Sequence, residues 1–325
     1  EESRVPTQWG DFYWWEKRGS LGASPRFFLW DHLFLWEHSN KYPVCFGGAV
    51  RALMPTPFDK GIQVDPLDFE GVAQGGQTIP TDDEDAEGNG HGTHCFGTIA
   101  GRKYGVAKKA HLYAVKVLRS SGSGTMSDVV AGVEWAVKSH LKKVKDAKDG
   151  KIKGFKGSVA NMSLGGGKSR TLEAAVNAGV EAGLHFAVAA GNDNADACNY
   201  SPAAAENPIT VGASTLQDER AYFSNYGKCT DIFAPGLNIL STWIGSKHAV
   251  NTISGTSMAS PHIAGLLAYF VSLQPSKDSA FAVDDLTPNK LKKDIIAIAT
   301  QGALTDIPSD TPNVSYHFGD SALLV

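Results

Sequence analysis

The chain has 325 residues, of which 42% are hydrophobic and 20% charged, and its net charge is −4. This length and apolar fraction are enough for one large core, and the slight acidity gives no electrostatic reason to expect a nucleic acid or an acidic membrane as a partner. The sequence contains no run of about 18 apolar residues, so no membrane-spanning helix is predicted.

The first 58 residues show no regular helical or strand period. They hold five of the seven tryptophans, namely Trp9, Trp14, Trp15, Trp30 and Trp36. Arg51–Phe58 contains two prolines, which cannot donate to a sheet ladder, so it would make a poor central strand. We treat residues 1–58 as an atypical N-terminal segment that either packs unusually or reflects a misread exon or frame, and we favour the second. The start at Glu1 rather than Met indicates a processed chain or an excised segment.

From residue 61 onward, short apolar runs alternate with helical patterns. The predicted elements are, in chain order, helix His94–Ala100, strand Ala110–Leu118, helix Ser127–Leu141, strand Ser158–Leu164, helix Thr171–Ala182, strands Leu184–Ala190 and Pro208–Ala213, a helix after Ser257, and a helix near Asn289–Ala299. This alternation predicts a three-layer α/β/α fold around a mostly parallel sheet. Sites in such folds lie at the carboxyl ends of the strands.

The strongest chemical signal is a serine near the C-terminus. In Gly255–Ser260 (GTSMAS), Ser257 lies where a glycine-containing turn enters a helix, and the amides and dipole there favour developing negative charge. A serine needs a general base within hydrogen-bond reach. His91, in NGHGTH, is the candidate base, and Asn192, after AAG, is suited to donating to an oxyanion.

Two other kinds of site fit the residues less well. His91, His94 and Cys95 could bind a metal by ligand type, but no second ligand cluster with zinc spacing is present, so we interpret His94 as structural. An esterase of the α/β-hydrolase type would need a Gly-x-Ser-x-Gly elbow, and Ser257 is followed by Met-Ala. Nucleophilic catalysis by a serine with a histidine base is therefore the preferred interpretation.

The segments around His91, Asn192 and Ser257 resemble, in this order, the subtilisin-like serine proteases, and most closely the proteinase K-type branch of cerevisin-like fungal vacuolar enzymes. The resemblance runs from about residue 61 to 275 and is strongest over Asn89–Leu118, Val159–Gly166, Val188–Pro202 and Ala221–Val271. It implies a serine endopeptidase domain over residues 59–325, with Ser257 as nucleophile, His91 as base and acid, and Asn192 as oxyanion donor.

The resemblance also implies that Asp59 orients the base. Lys60 follows it where the family has Thr or Ser, and Asp65 and Asp68 are weaker candidates. The family pattern further implies that an extended peptide substrate pairs with two segments, Gly122-Ser123-Gly124 and Ser163-Leu164-Gly165. The small residues Ala189, Ala190 and Gly191 imply a roomy, apolar primary pocket that prefers a large apolar or aromatic side chain before the cleaved bond.

Cysteine and metal assignments rest on the same resemblance. Family members carry a disulfide at positions matching Cys198 and Cys229, a bridge whose loop would stabilise the fold by roughly 3–4 kcal/mol. A cysteine outside any disulfide is expected at Cys95, under the base. The chemistry needs no cofactor; the family implies a structural calcium ion, with Asp231 as one ligand candidate and the acidic stretch Asp82–Glu87, otherwise a solvated loop, as the other.

The resemblance implies protein and peptide substrates, a propeptide inhibitor in the precursor, a monomeric enzyme, and a place in the secretory pathway, vacuolar or extracellular. Related fungal proteases are encountered as allergens, so IgE is a further expected partner, whereas nucleic acids and membranes are not expected. One alternative stays open: a catalytically impaired homologue that only binds peptides or antibodies, suggested by Lys60 and by the abnormal approach to Asp59.

Overall fold

The computed structural model describes residues 33–37, 69, 73–83, 88–275 and 286–316, with the backbone alone for 33–37 and 73–75. Asp59, Lys60, Asp65, Asp68 and the segment 51–58 lie outside the described residues.

The helices and strands follow one another as in the predicted alternation. They are β1 (Leu33–Glu37), β2 (Ala73–Thr78), α1 (His91–Ala100), β3 (His111–Lys116), α2 (Met126–Lys148), β4 (Ser158–Met162), β5 (Gly166–Gly167), α3 (Arg170–Glu181), β6 (His185–Ala189), β7 (Tyr200–Ser201), β8 (Ile209–Ser214), β9 (Ile232–Pro235), β10 (Ile239–Thr242), β11 (Val250–Ile253), α4 (Thr256–Ser272), α5 (Pro288–Ile298), β12 (Thr300–Gln301) and β13 (Val314–Ser315).

A nine-stranded sheet forms the middle layer, in the order β12-β13-β9-β8-β6-β4-β1-β3-β2. The pairs β2–β3, β4–β6, β6–β8, β8–β9 and β9–β13 are parallel, which confirms the mostly parallel sheet. Strand β1 runs antiparallel to both β3 and β4, between them. The sequence analysis found no strand in the first 58 residues because LFLWE lies among scattered tryptophans and phenylalanines that show no regular period.

The two faces of the sheet are covered by different helices. Helix α4 crosses one face and packs against α1, and their core includes Phe96, Ile99, Met258, Ile263 and Leu266. Helices α2 and α3 cover the other face, with a core that includes Val129, Val133, Leu172, Val176 and Phe186. The predicted three-layer α/β/α fold is therefore confirmed. In the part of the chain that is described, no helix is both long and apolar enough to cross a membrane.

Two helices differ from their predicted bounds. Helix α1 begins at His91 rather than His94, because Gly90 has φ of +92° and turns the chain directly into the helix. A Cβ on Gly90 would also lie 2.6 Å from the ring of Trp243. Both the backbone conformation and the lack of space therefore require glycine at this position. Helix α2 continues past Leu141 to Lys148, where Lys142 pairs with Asp146 one turn later.

Candidate active site

His91, Asn192 and Ser257 meet at the carboxyl edge of the sheet. His91 is the first residue of α1, Asn192 follows β6, and Ser257 is in the first turn of α4. The sulfur of Cys95 contacts two of these residues, lying 3.9 Å from His91 Nδ1 and 3.4 Å from the Ser257 carbonyl oxygen. Cys95 is a fully buried residue of α1, and its thiol contacts both the predicted base and the backbone of the predicted nucleophile.

The carbonyl of Ser257 cannot make its usual helical hydrogen bond. The residue four positions later is Pro261, which has no N–H, so the oxygen needs other donors. The Ser163 hydroxyl donates to it at 2.8 Å and the Cys95 thiol at 3.4 Å. The Ser257 hydroxyl in turn donates to the Ser163 carbonyl over a long distance, 3.4 Å. Because Pro261 leaves the Ser257 carbonyl free to accept, the start of α4 is hydrogen-bonded to Cys95 in α1 and to Ser163 just after β4.

A buried polar network continues these hydrogen bonds into the sheet. Asn161, in β4, donates through Nδ2 to the Ser163 hydroxyl at 2.9 Å and accepts from the Ser260 hydroxyl at 2.5 Å. The three side chains are at most 1% exposed. The sequence analysis missed Asn161 and Ser260, although an asparagine within an apolar strand was the signal to follow. It assigned the backbone of Ser163 to substrate binding, and the structure adds that the Ser163 hydroxyl donates to the Ser257 carbonyl.

The amide of Asn192 is held in one orientation. Its Oδ1 accepts from the Thr256 amide at 2.8 Å and from the Thr256 hydroxyl at 2.7 Å. This fixes Nδ2 on the other side of the group, where it is buried and has no hydrogen-bond partner among the described residues. A buried donor without an acceptor costs free energy, so an acceptor from solvent or from a bound ligand is expected at this nitrogen.

The loop that carries Asn192 is fixed by a residue that the sequence analysis missed. Asn225 is fully buried; its Nδ2 donates to the Ala190 carbonyl at 2.9 Å, and its Oδ1 accepts from the amides of Asp193 and Ala195 at 3.0 Å. The Asn225 side chain thus fixes the backbone on both sides of Asn192 by hydrogen bonds. No local pattern marks Asn225, since its partners lie 30–35 residues earlier in the chain.

His94 has a structural environment, as predicted. Its ring is fully buried, Nε2 lies 2.9 Å from the Ile239 carbonyl, and the ring stacks edge-on against Trp243. Burial lowers the pKa of His94 to about 4, and burial likewise lowers the pKa of His262, on α4, to about 4. Both imidazoles are therefore neutral at neutral pH and add no charge next to the site.

A cavity of about 180 Å³ is lined by Gly191 and Asp193, the residues on either side of Asn192 in the chain. Its walls include Gly165, Ala189, Ala190 and Gly191, which were predicted for binding, and also Asp193 and Tyr200, which were not. Burial, and then the neighbouring Asp193 carboxylate, raise the pKa of the Tyr200 phenol. The walls of the pocket therefore consist mostly of small residues, together with the exposed carboxylate of Asp193, which the sequence analysis did not predict.

The two predicted substrate-binding segments differ in what their small residues do. At Gly122, the backbone closes a turn, with its amide donating to the Arg119 carbonyl at 2.8 Å. At Gly124, a Cβ would meet Leu118 and the Val117 carbonyl, the latter at 2.9 Å, so its glycine is needed for internal packing. Leu164 is 3% exposed and belongs to the core under α2, which leaves only its backbone for a substrate.

The sulfurs of Cys198 and Cys229 are bonded to each other, as the resemblance implied, 31 residues apart. Asp231, the candidate calcium ligand, contacts a lysine, with Lys292 Nζ 2.8 Å from its Oδ2. Of the acidic residues near residue 82, Asp82 pairs with Arg119 and Asp83 with Lys116. The described residues contain no cluster of three or more His, Cys, Asp or Glu that could hold a metal.

Comparison with known proteins shows the family to which the chain belongs. A profile of the "Subtilase family" matches residues 58–319, and the chain belongs to that family. It is 95% identical over 275 residues to "Alkaline protease 2" of Aspergillus fumigatus, covering 85% of this chain and 55% of that protein. It is 84% identical over 277 residues to "Subtilisin-like serine protease pepC" of Aspergillus niger, covering 85% and 52%. The chain therefore spans about half the length of these relatives.

A solved structure supports the same assignment. The crystal structure of a cold adapted subtilisin-like serine proteinase superposes with a TM-score of 0.67 at 37% identity, covering 84% of this chain and 86% of that one. At this identity the likeness supports the family assignment as well as the fold.

Proposed function

We propose that the chain is the peptidase domain of a serine endopeptidase that hydrolyses peptide bonds in proteins. Ser257 is the nucleophile, His91 the general base and acid, Asp59 the residue that orients His91, and Asn192 the oxyanion donor. The observation that carries the proposal is the buried Asn192 Nδ2, held by Thr256 beside Ser257 and lacking an acceptor among the described residues.

In the proposed reaction, Ser257 Oγ attacks the carbonyl carbon of the substrate while its proton passes to His91. The oxyanion accepts from Asn192 Nδ2 and from the Ser257 amide, whose place in the first turn of α4 leaves it no helical acceptor. The C–N bond then breaks as His91 returns the proton to the leaving amine. A water molecule, deprotonated by His91, hydrolyses the acyl-enzyme and restores the Ser257 hydroxyl. No cofactor takes part.

The 180 Å³ cavity next to Asn192 is the proposed pocket for the substrate side chain before the cleaved bond. Its walls of Ala189, Ala190 and Gly191 favour large apolar or aromatic groups. The substrate backbone would lie between the segments 122–124 and 163–165 and pair with both as an added strand.

Several properties of the whole protein are part of the proposal. We propose a monomeric enzyme of the secretory pathway, vacuolar or extracellular, with a propeptide inhibitor in its precursor. IgE recognition is proposed because some relatives carry allergen designations, such as "Pen c 2" and "Cur l 4.0101". We also propose a division between residues 1–58 and the peptidase domain 59–325; the family match begins at residue 58, although β1 lies inside the sheet. Peptides covering Trp14–Trp36 from the mature protein would reject a misread segment.

The catalytically impaired alternative keeps the fold and the peptide groove but loses turnover. Hydrolysis of a peptide p-nitroanilide by the parent and by Ser257→Ala separates the two. The proposal expects parent turnover, a loss on the order of 10⁶ in kcat for Ser257→Ala, and an unchanged melting temperature, since only one hydroxyl is removed. A parent no faster than Ser257→Ala would support the impaired homologue.

A further inference from the structure

The amino edges of β8 and β9 hold a small cage of oxygens. Asp231 immediately precedes β9, and Glu206 and Pro208 precede β8. Since Asn192 lies at the carboxyl edge, this cage is on the opposite edge of the sheet from the candidate active site. Its oxygens are the carboxylate of Asp231 and the carbonyls of Glu206 and Pro208.

The cage encloses the ammonium of Lys292, which reaches in from α5. Lys292 Nζ lies 2.8 Å from Asp231 Oδ2, 3.0 Å from the Glu206 carbonyl and 2.7 Å from the Pro208 carbonyl. An ammonium has three N–H donors, so these three oxygens saturate it. The side chains of Lys292 and Asp231 are only 17% and 22% exposed.

A carboxylate with two backbone carbonyls is also the type of ligand set that calcium takes, at shorter distances of about 2.3–2.6 Å and with further oxygens or waters. The ammonium of Lys292 occupies the position between these ligands. A calcium ion does not fit beside it, because the same three oxygens would serve two cations in contact. The residues therefore disagree with the assignment of Asp231 as a calcium ligand in this chain.

We propose that Lys292 is a built-in cation that takes the place of a structural calcium ion at Asp231. Under this proposal the fold is stable without calcium at this site, and shortening the lysine creates a calcium-dependent protein. The ammonium links α5 to the loop before β8 and to the start of β9, near the Cys198–Cys229 bridge. Burial also raises the pKa of Asp231 against the opposing effect of Lys292, so loss of the lysine would leave a costly carboxylate.

The test uses thermal unfolding of the full chain carrying Ser257→Ala, which prevents self-digestion, in EDTA or in millimolar calcium chloride. In EDTA, Lys292→Met should lower Tm by roughly 5–10 °C, because it removes one partner of a largely buried ion pair. Lys290→Met is the matched control: this lysine is on the same helix, pairs with the exposed Asp294, and should change Tm by about 1 °C or less.

The response of Tm to calcium distinguishes a lysine that takes the place of a calcium ion from a lysine in an ordinary ion pair. Lys292→Ala leaves room in the cage and should regain several degrees with calcium, at half-effective concentrations on the order of 10⁻⁴–10⁻³ M. Lys292→Met fills the space with a thioether and should gain none, and the parent should have the same Tm in EDTA and in calcium. If Lys292→Ala folds poorly, the refolded yield with and without calcium gives the same comparison.

Three results would overturn the proposal: a parent destabilised by EDTA, a Lys292→Ala variant indifferent to calcium, or a Lys292→Met variant as stable as Lys290→Met. A double variant, Asp231→Asn with Lys292→Met, removes both charges and should recover much of the Tm lost in Lys292→Met alone. None of these measurements involves catalysis, so they stand or fall separately from the proposed protease activity.

Discussion

The hydroxyl of Thr256 is the feature whose removal tests the oxyanion arrangement most finely. It donates to Asn192 Oδ1 at 2.7 Å and accepts from the Gly191 amide at 3.1 Å. Thr256→Val replaces this hydroxyl with a methyl group of similar size. Asn192 then keeps only the Thr256 amide as a donor, so its Nδ2 is less firmly directed, and the Gly191 amide loses its acceptor.

The magnitude follows from the hydrogen bonds lost. One net hydrogen bond is worth about 1–1.5 kcal/mol, so kcat should fall about tenfold if the loss appears in the transition state, while KM stays within about twofold. Asn192→Ala, which removes the donor itself, should cost about 10²–10³ in kcat. Thr256→Ser keeps the hydroxyl and serves as the matched control, with kcat close to that of the parent.

The assay is steady-state hydrolysis of one peptide p-nitroanilide by the parent, the three single variants and the double variant Thr256→Val/Asn192→Ala. If Thr256 acts through Asn192, Thr256→Val should have little further effect once Asn192 is gone. Equal losses from Thr256→Val in both backgrounds would refute this reasoning. So would a Thr256→Ser variant as slow as Thr256→Val.

Two further predictions concern charge near the site. Asp193→Asn removes the pocket's exposed carboxylate and should lower the ratio of kcat/KM for Lys over Met before the cleaved bond by about 2–5-fold at low salt; an unchanged ratio would mean that the carboxylate does not face the substrate. The pKa of His94 is about 4 in the fold against 6.5 normally, so its neutral form stabilises the fold above pH 6.5, and about 3 kcal/mol is lost progressively as the pH falls from 6.5 towards 4. Denaturant unfolding of the Ser257→Ala protein across that range should show the loss, and His94→Gln should reduce it while the contribution of the similarly buried His262 remains; an equal slope in both proteins would contradict the assignment.

The sequence predicted most of the fold because its helices and strands carry clear periods. The runs now seen as β4, β6 and α3 were found within one or two residues of their ends. Helix α1 was missed at its start because a left-handed glycine before a helix looks like any other glycine in a loop. Strand β1 was missed because the aromatic residues around its short apolar run show no regular period.

The sequence predicted the candidate site as a set of short motifs. It did not reveal the residues that hold those motifs in place. His91, Asn192 and Ser257 lie in local patterns that reflect backbone geometry at strand and helix ends. Asn161, Asn225 and Lys292 act through partners that are distant in sequence, such as Ser260, 99 residues from Asn161. A lysine on an amphipathic helix ordinarily indicates a solvated face, so only the fold reveals that Lys292 reaches into the oxygen cage at Asp231.

The most direct test of the proposed activity is labelling with a fluorophosphonate, which reacts only with a serine whose proton can be removed by a base. The chain is incubated with the probe and digested, and the labelled peptide is identified by mass spectrometry, with Ser257→Ala and heat-denatured protein as controls. We predict one adduct, on Ser257, which is lost in both controls. An adduct on another serine, or a folded protein that takes up no label, would contradict the assignment of Ser257 as an activated nucleophile.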